Sequence, residues 1–212
     1  MKAKIKLAYA SVAAIIVWFG LGLQFYISVP AYMIKGYTFL GAVIQVLSYF
    51  TILTNILVAL VYSYMVLSPY TLTGMYLSRG KTITATAVYI TIVGFIYALV
   101  LRNVWNPQGL FKLADDLLHT VTPILFVLFW LIFAPKKKLK WSLMITWLIY
   151  PFIYLVYTLI RGQIVGTYPY NFMDINTLGV VQTTINCLLV LVAFLSFGAI
   201  FIAVSRFLNK SA

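Results

Sequence analysis

Glutamate is missing from this chain of 212 residues, and only three aspartates, Asp115, Asp116 and Asp174, carry negative charge. Charged residues make up 8% of the composition, where a soluble domain carries about 25%, so a soluble globular fold is excluded. The one cysteine, Cys187, falls inside an apolar run, which rules out an intramolecular disulfide and a cysteine metal site. A single histidine, His119, cannot supply two axial haem ligands, and with one cysteine and three aspartates it makes a poor transition-metal set. No lysine stands in the middle of an apolar run, which argues against a retinal Schiff base. No carboxylate stands there either, which argues against a proton pump or ion transporter. Neither a cofactor nor a metal is expected.

What the chain has in abundance is apolar surface, at 64% of residues. A membrane-crossing helix needs roughly 20 apolar residues, and six stretches qualify: 7–27, 39–67, 82–102, 117–134, 141–160 and 177–204. They are long and continuous rather than alternating, so helices are implied and not a barrel. The expected fold is an all-α integral membrane protein, a single six-helix transmembrane bundle over 1–212. The net charge of +12 resolves into topology once it is placed along the chain. Lys2, Lys4, Lys6, Arg79, Lys81, Lys136, Lys137, Lys138, Lys140, Arg206 and Lys210 fall on one side. Lys35, Arg102, Lys112 and Arg161 fall on the other, with all three acids. The positive-inside rule then puts both termini in the cytoplasm. The basic excess reads as contact with anionic membrane lipids rather than with nucleic acid. The first apolar run is longer than a signal-peptide core and no small-residue cleavage site comes after it, so it is expected to be retained. The expected location is a cell membrane crossed several times.

Polar residues inside the spans carry the functional signal, since in lipid they must face other helices or a wet cavity. Span two places Gln45, Ser48, Thr51 and Thr54 on one slowly drifting stripe, with Asn55 beside it. Interhelical hydrogen bonding and a cavity lining both account for such a stripe. Arg102 and Asn103 end span three, where Arg102 either snorkels to the interface or pairs with an acid. Ahead of span four, Asp115 and Asp116 precede His119 by four and three residues. That spacing lets either acid meet the imidazole on one helix face, and at least one acid is expected to cap the helix start. The loop 161–176 contributes Tyr170 and Asp174, and span six opens with Gln182 and Asn186. Pro151 is expected to kink span five.

With metals and cofactors set aside, the remaining chemistry is a hydroxyl nucleophile with a histidine base. A Thr or Ser hydroxyl needs a neighbour to take its proton and return it to the leaving group, and His119 is the side chain suited to that. An Asp on its other ring nitrogen would fix the tautomer, and Asn55, Gln182 or Asn186 could donate to an oxyanion. Thr51 lies about 12 residues into an unbroken span two and His119 only a few into span four, a depth offset on the order of 10 Å at 1.5 Å per residue.

Three segments resemble those of a family. SYFTILTN around Thr51, LLHTVTP around His119 and GTYPYNFMD around Tyr170 and Asp174 are similar to segments of the androgen-induced and androgen-dependent TFPI-regulating proteins, six-span membrane threonine hydrolases. The chain resembles a bacterial relative of them over most of its length. The resemblance implies Thr51 as nucleophile and His119 as general base, with Thr54 as the alternative nucleophile because the spacing from Thr51 to Asn55 is one residue longer than in the family. Asp174 stands where the family has Glu, and Asn171 where it has Pro. The implied activity is hydrolysis of an acyl ester of a lipid at the extracytoplasmic face, with Asp115 or Asp116 orienting His119. Asn55, Arg102, Asn103, Tyr170, Asp174, Gln182 and Asn186 are the expected substrate-binding residues. The alternative is a non-catalytic protein that binds a lipid or small molecule in the same outer cavity.

Overall fold

The computed structural model describes residues 1–102, 106–135 and 139–210, so Asn103 and Lys136 to Lys138 lie outside the described residues. The described residues are all-α, with no strand, and six helices are long and apolar enough to cross a membrane: Lys2–Ile34, Phe50–Leu67, Gly80–Leu101, Gly109–Phe133, Leu143–Val165 and Ile175–Asn209. The chain divides into two compact units, Met1–Lys137 and Lys138–Ala212.

The first unit begins with α1 (Lys2–Ile34), which runs on through Pro30 and so extends past the expected end at 27. Helix α2 (Phe39–Leu47) starts at Thr38, whose hydroxyl accepts the Gly41 N–H at 3.1 Å and so satisfies one of the amides a helix start leaves open. Hydropathy predicts span two as one run over 39–67. It is instead broken, with α3 (Phe50–Leu67) beginning afresh after Ser48 and Tyr49. Neither Gly nor Pro marks the break. At Ser48 the backbone tightens, its N–H bonding Gln45 O at 3.2 Å while its hydroxyl bonds back to Ile44 O at 2.7 Å. The same back-bond occurs at Thr84 and Thr91 within an unbroken α5, so it accompanies the break at Ser48 without accounting for it.

A short helix α4 (Leu72–Leu77) leads to α5 (Gly80–Ile96), which finishes in a π-helical turn, Tyr97–Leu101. Span four starts earlier than the expected residue 117. It is α6 (Gly109–Asp116), a second π-helical turn (Leu117–Val121) and α7 (Thr122–Phe133) in unbroken succession. Asp115 and Asp116 therefore lie in the body of a span rather than capping its start.

Helices in lipid gain little from apolar burial against one another and rely on close fit and hydrogen bonds. Both are present here. Tyr62 of α3 meets Phe126 and Phe129 of α7 edge-on, at centroid distances of 5.3 and 5.2 Å. Trp130 donates to the Thr84 hydroxyl at 2.9 Å, tying α7 to α5. Trp18 donates to Ser63 Oγ at 2.9 Å, tying α1 to α3. Glycines let backbones approach: a Cβ on Gly20 would stand 3.2 Å from Leu117 Cβ, and one on Gly94 would stand 3.2 Å from the His119 carbonyl oxygen.

The second unit holds α8 (Leu143–Trp147), α9 (Ile149–Val165) and α10 (Ile175–Lys210). Pro151 falls in the first turn of α9, where a missing N–H costs little, and the irregularity comes just before it at Leu148. Gly166, at φ +76°, closes α9 in the left-handed conformation, the usual helix-ending role of glycine. Gly179, at φ +75° and ψ 165°, interrupts α10.

Candidate functional site

The break at Ser48 and Tyr49 changes the depth of Thr51. Instead of standing about three turns into a long helix, it occupies the first turn of α3. The expected offset from His119 is removed: Thr51 Oγ1 lies 3.3 Å from His119 Nε2. Thr54, the alternative nucleophile, is fully buried one turn on, and it is the Thr51 hydroxyl that lies within 3.3 Å of Nε2.

His119 sits in the π-helical turn of span four. Its Nδ1 faces two oxygens of Asp115, the carboxylate Oδ1 and the backbone carbonyl, each at 3.1 Å. Both are acceptors, so in the neutral imidazole Nδ1 carries the proton and Nε2 presents its lone pair toward Thr51. Of the two candidate orienting acids, Asp115 is the buried one, at 6% exposure. Asp116 instead pairs with Lys112 one turn back at 2.8 Å, and both are well exposed.

The remaining oxygen of Asp115 is also held. Tyr97, the first residue of the other π-helical turn, donates its hydroxyl to Asp115 Oδ2. Its ring stacks on the imidazole of His119, with centroids 4.3 Å apart and planes 16° from parallel. Tyr97 is absent from the residues expected on sequence grounds. No signal in the sequence separates it from the other tyrosines.

The local backbone explains how His119 is held against α3. Thr122 donates its N–H to Leu117 O, one residue further back than in an α-turn. Pro123, next in line, has no N–H. The carbonyl of Leu118 thereby loses both backbone donors that could reach it. Asn55 supplies one, its side-chain amide donating to Leu118 O at 3.2 Å and to Thr51 O at 2.8 Å. A single buried amide thus ties the residue that carries the hydroxyl to the turn that carries the imidazole. The Oδ1 of Asn55 and the hydroxyl of Thr122 are buried and have no hydrogen-bond partner among the described residues. Asn55 is expected to bind substrate or donate to an oxyanion, but both its N–H groups are committed to backbone carbonyls.

Arg102 comes directly after the π-helical turn of α5 and is exposed. Among the described residues it forms no ion pair with Asp115, Asp116 or Asp174. Four expected residues belong to the second unit. Tyr170 stacks on Phe172 at 5.3 Å. Asp174 caps the start of α10, accepting the N–H groups of Asn176 and Thr177 at 2.9 and 3.3 Å and the Thr177 hydroxyl at 2.8 Å. Gln182 donates to Asn186 Oδ1 at 3.0 Å, and Asn186 donates to the Phe172 carbonyl at 2.8 Å. No cluster of three or more His, Cys, Asp or Glu with metal-ligand geometry occurs among the described residues.

The arrangement Thr51, His119, Asp115 is a hydroxyl, a base and an orienting acid in sequence, each within or just beyond hydrogen-bond reach of the next. Chemically it can take a proton from a hydroxyl and return it to a leaving group. No protein-family model, curated protein or solved structure matches this chain.

Proposed function

We propose that this protein is a membrane-embedded threonine hydrolase that cleaves an acyl ester of a lipid, working from the extracytoplasmic face. The observation that carries this reading is the 3.3 Å approach of Thr51 Oγ1 to a His119 Nε2 whose other nitrogen is fixed by Asp115. Motif similarity to the androgen-induced and androgen-dependent TFPI-regulating proteins supports the same roles. The distribution of basic residues along the sequence, read by the positive-inside rule, supports the outer face.

In this mechanism His119 Nε2 takes the Thr51 proton as the oxygen attacks the ester carbonyl. The imidazolium gives that proton to the departing alcohol, leaving an acyl-threonine. Water, deprotonated by the same nitrogen, then releases the acid and restores the hydroxyl. Asp115 stays ionised and stabilises the imidazolium that forms twice in each cycle. General-base assistance of this kind is worth about 10²- to 10⁴-fold in rate.

The test is covalent labelling by a fluorophosphonate, which needs an activated hydroxyl. Wild type is expected to label, and Thr51→Ala and His119→Ala are expected not to, with all three proteins equally folded by circular dichroism. Equal labelling of the three would refute the reading. A protein that only binds lipid would label in none of them.

A further inference from the structure

The arrangement around His119 contains one group that the hydrolytic cycle does not consume. Tyr97 is 5% exposed and Asp115 6% exposed, so neither has water to fall back on. A buried carboxylate keeps its charge only when both oxygens are satisfied. His119 Nδ1 serves Oδ1 and the Tyr97 hydroxyl serves Oδ2. The same tyrosine limits the imidazole in a second way, because its ring lies nearly parallel to the imidazole at 4.3 Å. The hydroxyl holds the acid, and the ring face holds the plane of the base.

We infer that Tyr97 is the positioning residue of this site: it anchors the free oxygen of Asp115 and stacks on His119, so that Nδ1 holds the proton and Nε2 faces Thr51. Its catalytic meaning rests on the hydrolase reading, but its geometry does not. Without the hydroxyl, Oδ2 is left buried and unpaired. The carboxyl group then turns toward another donor, and its grip on Nδ1–H weakens. The imidazole is released to exchange tautomers, and the form with the proton on Nε2 cannot accept from Thr51. On the same helix Lys112 is paired with Asp116 at 2.8 Å, and Arg102, which comes after the Tyr97 turn, forms no ion pair with Asp115 among the described residues.

His119 is the only histidine in the chain, so nitrogen-15-labelled histidine gives a single imidazole spectrum from the full-length protein in detergent. Wild type is expected in the Nδ1–H form. Tyr97→Phe keeps the ring and is expected to show a mixture with the Nε2–H form, and Tyr97→Leu, which also removes the stack, a larger share of it. Tyr62→Phe removes a different buried tyrosine hydroxyl, bonded to Leu125 O, and is expected to leave the spectrum unchanged. With a fluorogenic short-chain ester of 4-methylumbelliferone, Tyr97→Phe is expected to lower kcat by up to about 10²-fold at unchanged KM, the scale of a catalytic group misplaced by about 1 Å. An unaltered imidazole spectrum in Tyr97→Phe overturns the inference. So does a wild-type spectrum in the Nε2–H form, which needs no variant to fold. Should wild type show no turnover while Tyr97→Phe still shifts the tautomer, the hydrolase reading falls and the positioning role stands.

Discussion

Asn55 and Asn186 are both asparagines near the start of an apolar span, yet their amides are used differently. Asn55 is fully buried and joins two helices, donating to Thr51 O and, 63 residues away in sequence, to Leu118 O. Asn186 is half-buried and bonds near home, to Phe172 O 14 residues back and to Gln182 one turn before it. The same contrast separates the two units more widely. Thr51, Asp115 and Tyr97 of the first unit find partners on other turns and other helices, whereas Asp174 spends its carboxylate on the first amides of its own helix. A polar residue in an apolar segment points to a site only when its partner lies on another membrane-spanning helix. Otherwise it closes a local gap in the backbone.

Three substitutions, two of them with paired controls, test that distinction, and thermal unfolding in detergent followed by tryptophan fluorescence reads them all. The largest effect is expected at Asn55. Asn55→Leu removes two buried hydrogen bonds and leaves Leu118 O without a donor, at a cost of about 2–3 kcal/mol, and fluorophosphonate labelling should fall with it. Asn186→Leu, by contrast, should cost about 1 kcal/mol or less and leave labelling intact. Comparable losses at the two asparagines would erase the contrast. Next comes Gly94→Leu, which drives a side chain into the His119 carbonyl and Pro123. Overpacking of this kind costs about 1–3 kcal/mol, and it should reduce labelling because the π-helical turn must move. Gly22→Leu is the paired control, since a Cβ there meets nothing within 4 Å. The smallest effect belongs to Asp174→Ala, where loss of a helix cap costs about 1 kcal/mol with no change in labelling. A drop in labelling there would bring the second unit into the chemistry.

Much of this is legible in the sequence, for reasons particular residues make plain. Apolar runs as long as those of α1 and α10 admit no other fold, and His119 with Asp115 four residues before it is a spacing fixed by helix geometry. The break ahead of Thr51 is not legible, because Ser48 and Tyr49 carry neither proline nor glycine and a serine in an apolar run gives no warning of a helix end. Span four hides its start in the same way: Gly109 to Asp116 is too polar to register as membrane helix, so the acids look like caps. Tyr97 is one of 16 tyrosines, and only its neighbours distinguish it. Pro123 is visible in the sequence. Its significance is not, because a proline's effect depends on which carbonyl it leaves without a donor.

The π-helical turn at Leu117–Val121 has a consequence for the rest of span four. A π turn absorbs one residue more than the α turn it replaces, so the helix beyond it is rotated by roughly 100° relative to an uninterrupted one. Upstream, one face delivers Asp115 and His119 to Tyr97 and Thr51. Downstream, the span delivers Phe126, Phe129 and Trp130 to Tyr62 and Thr84. Both sets meet the same two neighbours, since Thr51 and Tyr62 belong to α3 and Tyr97 and Thr84 to α5 with its π-helical turn. The extra residue therefore marks where the span changes phase while staying between one pair of helices, with its polar contacts on one side of the turn and its aromatic contacts on the other.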